Sequence, residues 1–312
     1  MIKLSKLFIL PLLLTLALFL APLRALAQTT SLTVIPPKFE LFGNPGDSLV
    51  ERIRLRNESN EPRTYTIYVE DFTTSGEEGH VVLEEGESDE SFAMAKWIEA
   101  SVRDVVLQPN EEQSITVNIN IPRNAEPGGH YASVLFQTGG DVEVDGGAKV
   151  SQRVGSLILL RVSGNVVENA ILEQFTTDSF QQKGPIEFLL RVKNESNTHI
   201  IPEGTIVITN LFGKKVAELP LDGRNVLPGA IRKMTTLWDS ENILGIYTAT
   251  LISTYGQQKL PLTAVTKFTV LPTGLLIVGF VGVFAVVGLV VTLIFGRNRI
   301  VKILKVIFKG ED

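Results

Sequence analysis

Hydrophobic and polar side chains alternate with a period of two through most of this chain. Between residues 114 and 121, Ile115, Val117, Ile119 and Ile121 share one face while Thr116, Asn118 and Asn120 share the other. Arg52, Arg54 and Arg56 alternate with Ile53 and Leu55. Tyr65, Ile67 and Val69 carry the pattern on, and Ile186, Phe188, Leu190 and Val192 repeat it. Alternation over short runs predicts strands with one buried face. Turn residues separate the runs at Asn44-Pro45-Gly46-Asp47, Gln108-Pro109-Asn110, Glu126-Pro127-Gly128-Gly129 and Leu227-Pro228-Gly229. No 3.6-residue apolar period is sustained between 28 and 270, with room for a short helical turn around 92–100.

Two uncharged stretches break the alternation. The first, 7–20, follows Lys3 and Lys6 and precedes Ala25-Leu26-Ala27, the layout of a secretory signal over 1–27. The second, 273–295, is 23 residues without a charge. At about 1.5 Å per residue it covers roughly 35 Å as a helix, enough to cross the hydrocarbon core with some tilt. Arg297, Arg299, Lys302, Lys305 and Lys309 follow, so the positive-inside rule places the basic tail 297–312 in the cytoplasm. The expectation is a single-pass type I protein of the cell membrane, with a transmembrane helix over 272–296 and its bulk extracytoplasmic.

The chain also echoes itself. Arg54-Leu55-Arg56-Asn57-Glu58-Ser59-Asn60 returns as Arg191-Val192-Lys193-Asn194-Glu195-Ser196-Asn197. Val106-Leu107-Gln108-Pro109 returns as Asn225-Val226-Leu227-Pro228, and Gly129-His130-Tyr131 as Gly245-Ile246-Tyr247. The offsets are 137, 119 and 116, so the first copy is longer in its early half. That surplus maps onto the acidic, glycine-rich stretch 76–90. The predicted fold class is therefore all-β: two tandem immunoglobulin-like β-sandwiches, 28–165 and 166–271, followed by the C-terminal span. The Asn-Glu-Ser-Asn runs read as turns capped by their own side chains, and Gly-x-Tyr as a corner where a buried Tyr ties its hydroxyl to the backbone.

Charge narrows the partners. The chain has 29 Lys and Arg against 34 Asp and Glu. Setting aside the leader (three basic residues) and the tail (five basic, two acidic) leaves about −11 on the ectodomain. Nucleic acid, whose phosphates need a basic face, is excluded as a partner. With no cysteine the domains depend on apolar cores, and thiol chemistry is absent.

Catalysis is poorly supplied. His80, His130 and His199 form no zinc-type pair, and neither a Gly-x-Ser-x-Gly elbow nor a Ser-x-x-Lys motif occurs. No catalytic residue, cofactor or metal site is assigned. Glu77, Glu78, Glu84, Glu85, Glu87, Asp89 and Glu90 read as a solvated loop that lacks the ladder of a calcium loop. Trp97 is a candidate stacking platform or a core anchor, and Trp238 likewise. Pro127-Gly128-Gly129-His130-Tyr131 reads either as the lining of a groove or as a tight turn feeding a core strand. Trp97, His130 and Tyr131 are the candidate ligand-binding residues.

Pro36-Pro37-Lys38-Phe39-Glu40-Leu41, Asn44-Pro45-Gly46, the Asn-Glu-Ser-Asn turn, Trp97-Ile98, Leu107-Gln108-Pro109 and the run from Ile121 to Ala132 through Pro127-Gly128-Gly129-His130-Tyr131 together resemble a known family. It is the N-terminal domain of bacterial WxL-interacting surface proteins, the family of unknown function 916. The resemblance covers about 31–162. It implies peptidoglycan binding by the first domain, no enzymatic activity, and a second domain associated with binding host or matrix proteins, although no motif of 166–270 matches residue by residue. The expected function is a non-enzymatic, membrane-anchored attachment scaffold whose partners are cell-wall peptidoglycan and other cell-surface proteins. The rival reading is an envelope assembly chaperone built from paired immunoglobulin-like domains, and a cell-wall glycosidase stands third.

Overall fold

The computed structural model describes residues 32–84, 91–138, 142–144, 148–150, 152–240 and 243–308. The signal segment 1–27, the later half of the acidic stretch (85–90) and the end of the tail lie outside the described residues.

The first sandwich is built from β1 (Leu32–Ile35), β2 (Lys38–Gly43), β3 (Ser48–Asn57), β4 (Arg63–Ser75), β5 (His80–Glu84), β6 (Ile98–Ala100), β7 (Asp104–Leu107), β8 (Glu112–Asn120), β9 (Gly128–Thr138), the small hairpin β10 (Val142–Val144) and β11 (Ala148–Val150), and β12 (Arg153–Val162). One sheet runs β1-β3-β8-β6 and the facing sheet β2-β12-β9-β4-β5, with β7 also on β4. Pro36 and Pro37, which have no N–H to give a ladder, sit where the chain leaves β1 in one sheet and enters β2 in the other. The alternating residues close the core from both sides. Ile53, Leu55, Ile115, Val117 and Ile119 come from one sheet, and Tyr65, Ala132, Val134, Phe136, Ile158 and Leu160 from the other. Ala95–Trp97 forms a single 3₁₀ turn.

The second sandwich repeats the plan with β13 (Ala170–Thr176), β14 (Phe180–Gln181), β15 (Ile186–Asn194), β16 (Glu203–Asn210), β17 (Lys215–Pro220), β18 (Ile231–Trp238), β19 (Gly245–Tyr255) and β20 (Leu260–Val270). Its sheets are β13-β15-β18 and β14-β20-β19-β16-β17. In both copies an early short strand adds in parallel to the last one, β2 to β12 and β14 to β20. Phe188, Leu190 and Met234 meet Ile206, Ile208, Ala249, Leu251 and Phe268 in its core. Trp238 is a core anchor here, edge-on to Tyr247 at 5.4 Å and to Phe268 at 6.3 Å.

Two residues after β20 the chain enters α1 (Thr273–Phe308). Its described apolar side chains, from Ile277 to Leu293, are exposed all round. Among the described residues no helix is long and apolar enough to cross a membrane.

Candidate functional site

The echoed asparagines explain why the two copies share a sequence signature. Asn57 and Asn194 are fully buried at the ends of β3 and β15. Asn57 Nδ2 donates to Leu107 O (3.1 Å) and Glu61 O (2.8 Å), and Asn194 Nδ2 donates to Val226 O (2.8 Å) and Thr198 O (2.8 Å). Each amide thus ties the first echoed motif to the second, and the backbone of the following Ser donates to its Oδ1. A buried amide with every polar atom engaged fixes the turn and is costly to replace.

Successive residues of β9 face opposite ways, which separates the candidate residues. His130 points inward, 2 % exposed, with its ring 4.5 Å from the half-buried Trp97 ring. Its Nε2–H donates to Glu126 O at 2.9 Å, and Nδ1 has no hydrogen-bond partner. Tyr131 points out of the first sandwich yet is also only 2 % exposed, because the second sandwich covers it. Phe72, Tyr131, Leu159 and Leu227 form an apolar cluster across the joint between the two domains. The Tyr131 hydroxyl lies 3.4 Å from His199 Nδ1, and burial raises its pKa beyond the ordinary range. The expected tie of the buried Tyr131 hydroxyl is not made within its own domain, because the hydroxyl meets His199, its backbone included, in the second. The echo Tyr247 makes that tie, donating to Leu244 O at 3.0 Å, whereas Tyr131 is drawn to a partner in the other domain.

The glycine pair before His130 serves the same joint. A Cβ on Gly128, whose φ is +131°, would lie 2.4 Å from Asn197 O, and one on Gly129 would strike the Tyr131 hydroxyl and approach Thr198 Cα at 3.2 Å. Only glycine lets the two backbones come this close. Gly129 N–H donates to Asn197 O at 2.8 Å. Asn197 completes the lock: Nδ2 donates to Pro127 O (3.1 Å) and Asn165 O (3.3 Å), while Oδ1 accepts from Val167 N–H (2.9 Å).

Two further locks lie outside the sequence-stretch singled out as a site. Glu168, in the linker, pairs with Arg161 at 2.8 Å and accepts from the Gln257 and Gln258 N–H groups at 2.9 and 3.3 Å. Burial alone would raise this carboxyl, but those backbone donors and Arg161 outweigh it and hold the pKa below the usual carboxylate value. The second lock corrects the solvated-loop reading for Glu77, while Glu78 stays exposed. The tip of the β4–β5 hairpin lies on the β15–β18 face, where Arg191 Nε donates to Glu77 Oε2 at 2.8 Å and Lys233 N–H to Glu77 O at 2.8 Å. Lys233 Nζ is 3.6 Å from Glu78. The extra length of the first copy is thus an arm that reaches the second. Among the described residues no cluster of three or more His, Asp or Glu is placed to hold a metal ion.

Beside the joint a cleft of about 430 Å³ opens between the domains. Glu40 and Phe42 of the edge strand β2, with Arg161, form one wall. Glu203, Gln257 and Lys259 of the second sandwich form the other, with His199 at its floor. His199 is held neutral: burial pushes its pKa down to about 4, outweighing the upward pull of Glu40, with Arg161 and Lys38 adding weaker downward pushes. The cleft offers both signs of charge, and among the described residues no strand pairs with the outer edge of β2.

No family model matches the chain, and no curated protein matches it. Solved structures do. The YadV chaperone is 10 % identical, with 76 % of this chain and 100 % of that chain covered and a TM-score of 0.37. The class 5 fimbriae chaperone CfaA is 12 % identical, with 75 % and 98 % covered and a TM-score of 0.36. The Salmonella enterica SafA pilin in complex with the SafB chaperone gives 12 %, 78 % and 98 %, with a TM-score of 0.37. These are chaperones by name, the class of the rival reading above. At such identities and TM-scores the likeness carries no argument for this chain.

Proposed function

We propose that this chain is a non-enzymatic envelope protein that holds another protein in the crook between its two sandwiches, as an assembly chaperone of the paired immunoglobulin-like type, and that α1 anchors it in the membrane. The observation that carries the reading is where free and spent surfaces lie. His130 and Tyr131 are buried inside the protein and Trp97 packs beside them, whereas the cleft is open and walled by both domains, its charges internally paired as Lys38–Glu40, Arg161–Glu168 and Lys259–Glu203. β2 ends its sheet, so its outer backbone edge can pair with a strand from a partner, with Phe42, 56 % exposed, beside it. The described side chains of α1 do not by themselves make up a membrane span, and the anchor is supported instead by the full uncharged stretch 273–295 of the sequence and the basic residues after it.

The residues shared with the WxL-interacting proteins support a second reading, peptidoglycan attachment through the first domain. One experiment separates the two. A photo-cross-linking residue at Phe42 in the full chain should capture a discrete protein partner in cells, and the two-domain ectodomain should stay in the supernatant when isolated cell wall is sedimented. Co-sedimentation with wall and no protein adduct at position 42 would overturn the chaperone reading and favour attachment.

A further inference from the structure

The end of the second sandwich from which α1 departs has an unusual surface. Val270, the last residue of β20, is paired with Gly245 of β19, and Asn210, the last residue of β16, is paired with Tyr247. The β16–β17 turn therefore leaves the sandwich at the end where the helix begins. Asn210 sits two register positions above Val270, and at about 3.3 Å per residue the turn brings Phe212 level with Val270 again, about two strand spacings, or 10 Å, to the side. Phe180 of β14 is paired with Thr269 at this end, and Leu244 precedes β19 there.

Large apolar side chains gather in the open at this end, besides exposed ones such as Val265 and Ile252 on the strand faces. Phe212 is 90 % exposed, Leu211 68 %, Leu244 55 % and Phe180 52 %. The turn that presents Phe212 is firmly built: Asn210 Oδ1 accepts from both the Phe212 and Lys214 N–H groups at 3.0 Å, and Gly213 supplies the positive φ. Charge around it is mixed, with Lys183, Lys214 and Lys215 against Asp178, Glu218 and Asp239, and Lys215 is already paired to Glu218 at 2.8 Å. An apolar tip with no net charge preference does not suit an anionic partner held by long-range attraction. It suits the boundary between lipid headgroups and acyl chains, where exposed aromatic and aliphatic side chains gain by burial.

The geometry points to a membrane-resting foot: the 211–214 turn, with Leu244 and Phe180 beside it, sets Leu211 and Phe212 into the outer face of the bilayer that α1 enters. The connection from β20 to α1 is only Leu271-Pro272, so the foot cannot stand far from that surface. Pinned at both helix and foot, the column would keep a fixed tilt and hold its cleft at a set height. This inference rests on the reading of α1 as a membrane anchor.

Because the chain has no cysteine, single cysteines can be placed and spin-labelled at will. We would label full-length protein at Phe212→Cys, Phe284→Cys or Thr263→Cys in phosphatidylcholine vesicles and compare collision with oxygen, which enters lipid, against a water-soluble nickel complex. The expected result is an oxygen preference at 284 and, several-fold above the exposed control site 263, at 212. Preference at 284 with 212 equal to 263 would overturn the foot and leave the anchor standing. Nickel preference at 284 would overturn both.

Discussion

Acid should loosen the joint through His199. In the folded chain this half-buried imidazole packs edge-on to Tyr131 and is kept neutral down to about pH 4, whereas in the unfolded chain it titrates near 6.5. A folded pKa below the unfolded one means that the unfolded state binds the extra proton first, so stability is constant above about pH 7 and falls as the pH drops from there towards 4. At 1.36 kcal/mol per pH unit, the gap between 6.5 and about 4 is worth about 3 kcal/mol. The assay is chemical denaturation of the two-domain ectodomain at pH steps between about 7.5 and 4, for the wild type and for His199→Gln, whose amide cannot titrate. Carboxylates such as Glu168, held below their ordinary value, add losses at the acid end of this window in both proteins alike. The difference between the two curves therefore isolates His199. It should shift by about 3 kcal/mol against the wild type across the window, with most of the change above pH 4. Parallel curves would refute the assignment of a neutral His199 to the joint.

Gly128→Ala should separate the domains without unfolding them, because the new methyl cannot share space with Asn197 O and the residue's φ disfavours any side chain. A cost of about 1–3 kcal/mol and a larger radius of gyration by small-angle scattering are expected, and an unchanged radius would count against the close approach. Asn57→Ala and Asn194→Ala should each cost about 2–3 kcal/mol, since each strands buried carbonyls at matching places in the two copies. Denaturation midpoints that fall for one variant alone would show that the echo does not mark a shared structural role.

Much of the fold was legible because it rests on local patterns. Period-two alternation located Ile115 to Ile121 and Ile186 to Val192, and those side chains are core in the structure. The repeated Asn-Glu-Ser-Asn was readable as structural, and the buried amides show why it recurs. What escaped was whatever depends on one domain meeting the other. Nothing local distinguishes Glu77, tied to Arg191 more than a hundred positions away, from the solvated carboxylates its neighbours resemble. Tyr131 and Tyr247 occupy the same echo position, yet one bonds within its own domain and the other across the joint. The usable signal was the unequal offset between copies, which marked the arm as extra length without saying where it reaches.

The two copies also show how one motif came to serve two ends. In the first, Ser59 Oγ donates to Glu61 O, and Ser59 N–H to Asn57 Oδ1, so the turn closes on itself. In the second, Ser196 Oγ donates to Asn169 O and Asn197 grips both Pro127 and the linker, so the same residues close the joint. Add the arm from β4–β5 and the Arg161–Glu168 pair, and the sandwiches are joined by backbone, amide, ionic and apolar contacts at once. Relative motion is the default for tandem domains, and these contacts oppose it here. Cutting between 162 and 170 would strip cover from Tyr131 and Phe72 on one side and from Leu227 on the other. Either isolated domain would then bind apolar surfaces unspecifically. A cleft walled by both domains can recognise a partner only while that joint is closed, so binding has to be measured on the two-domain body.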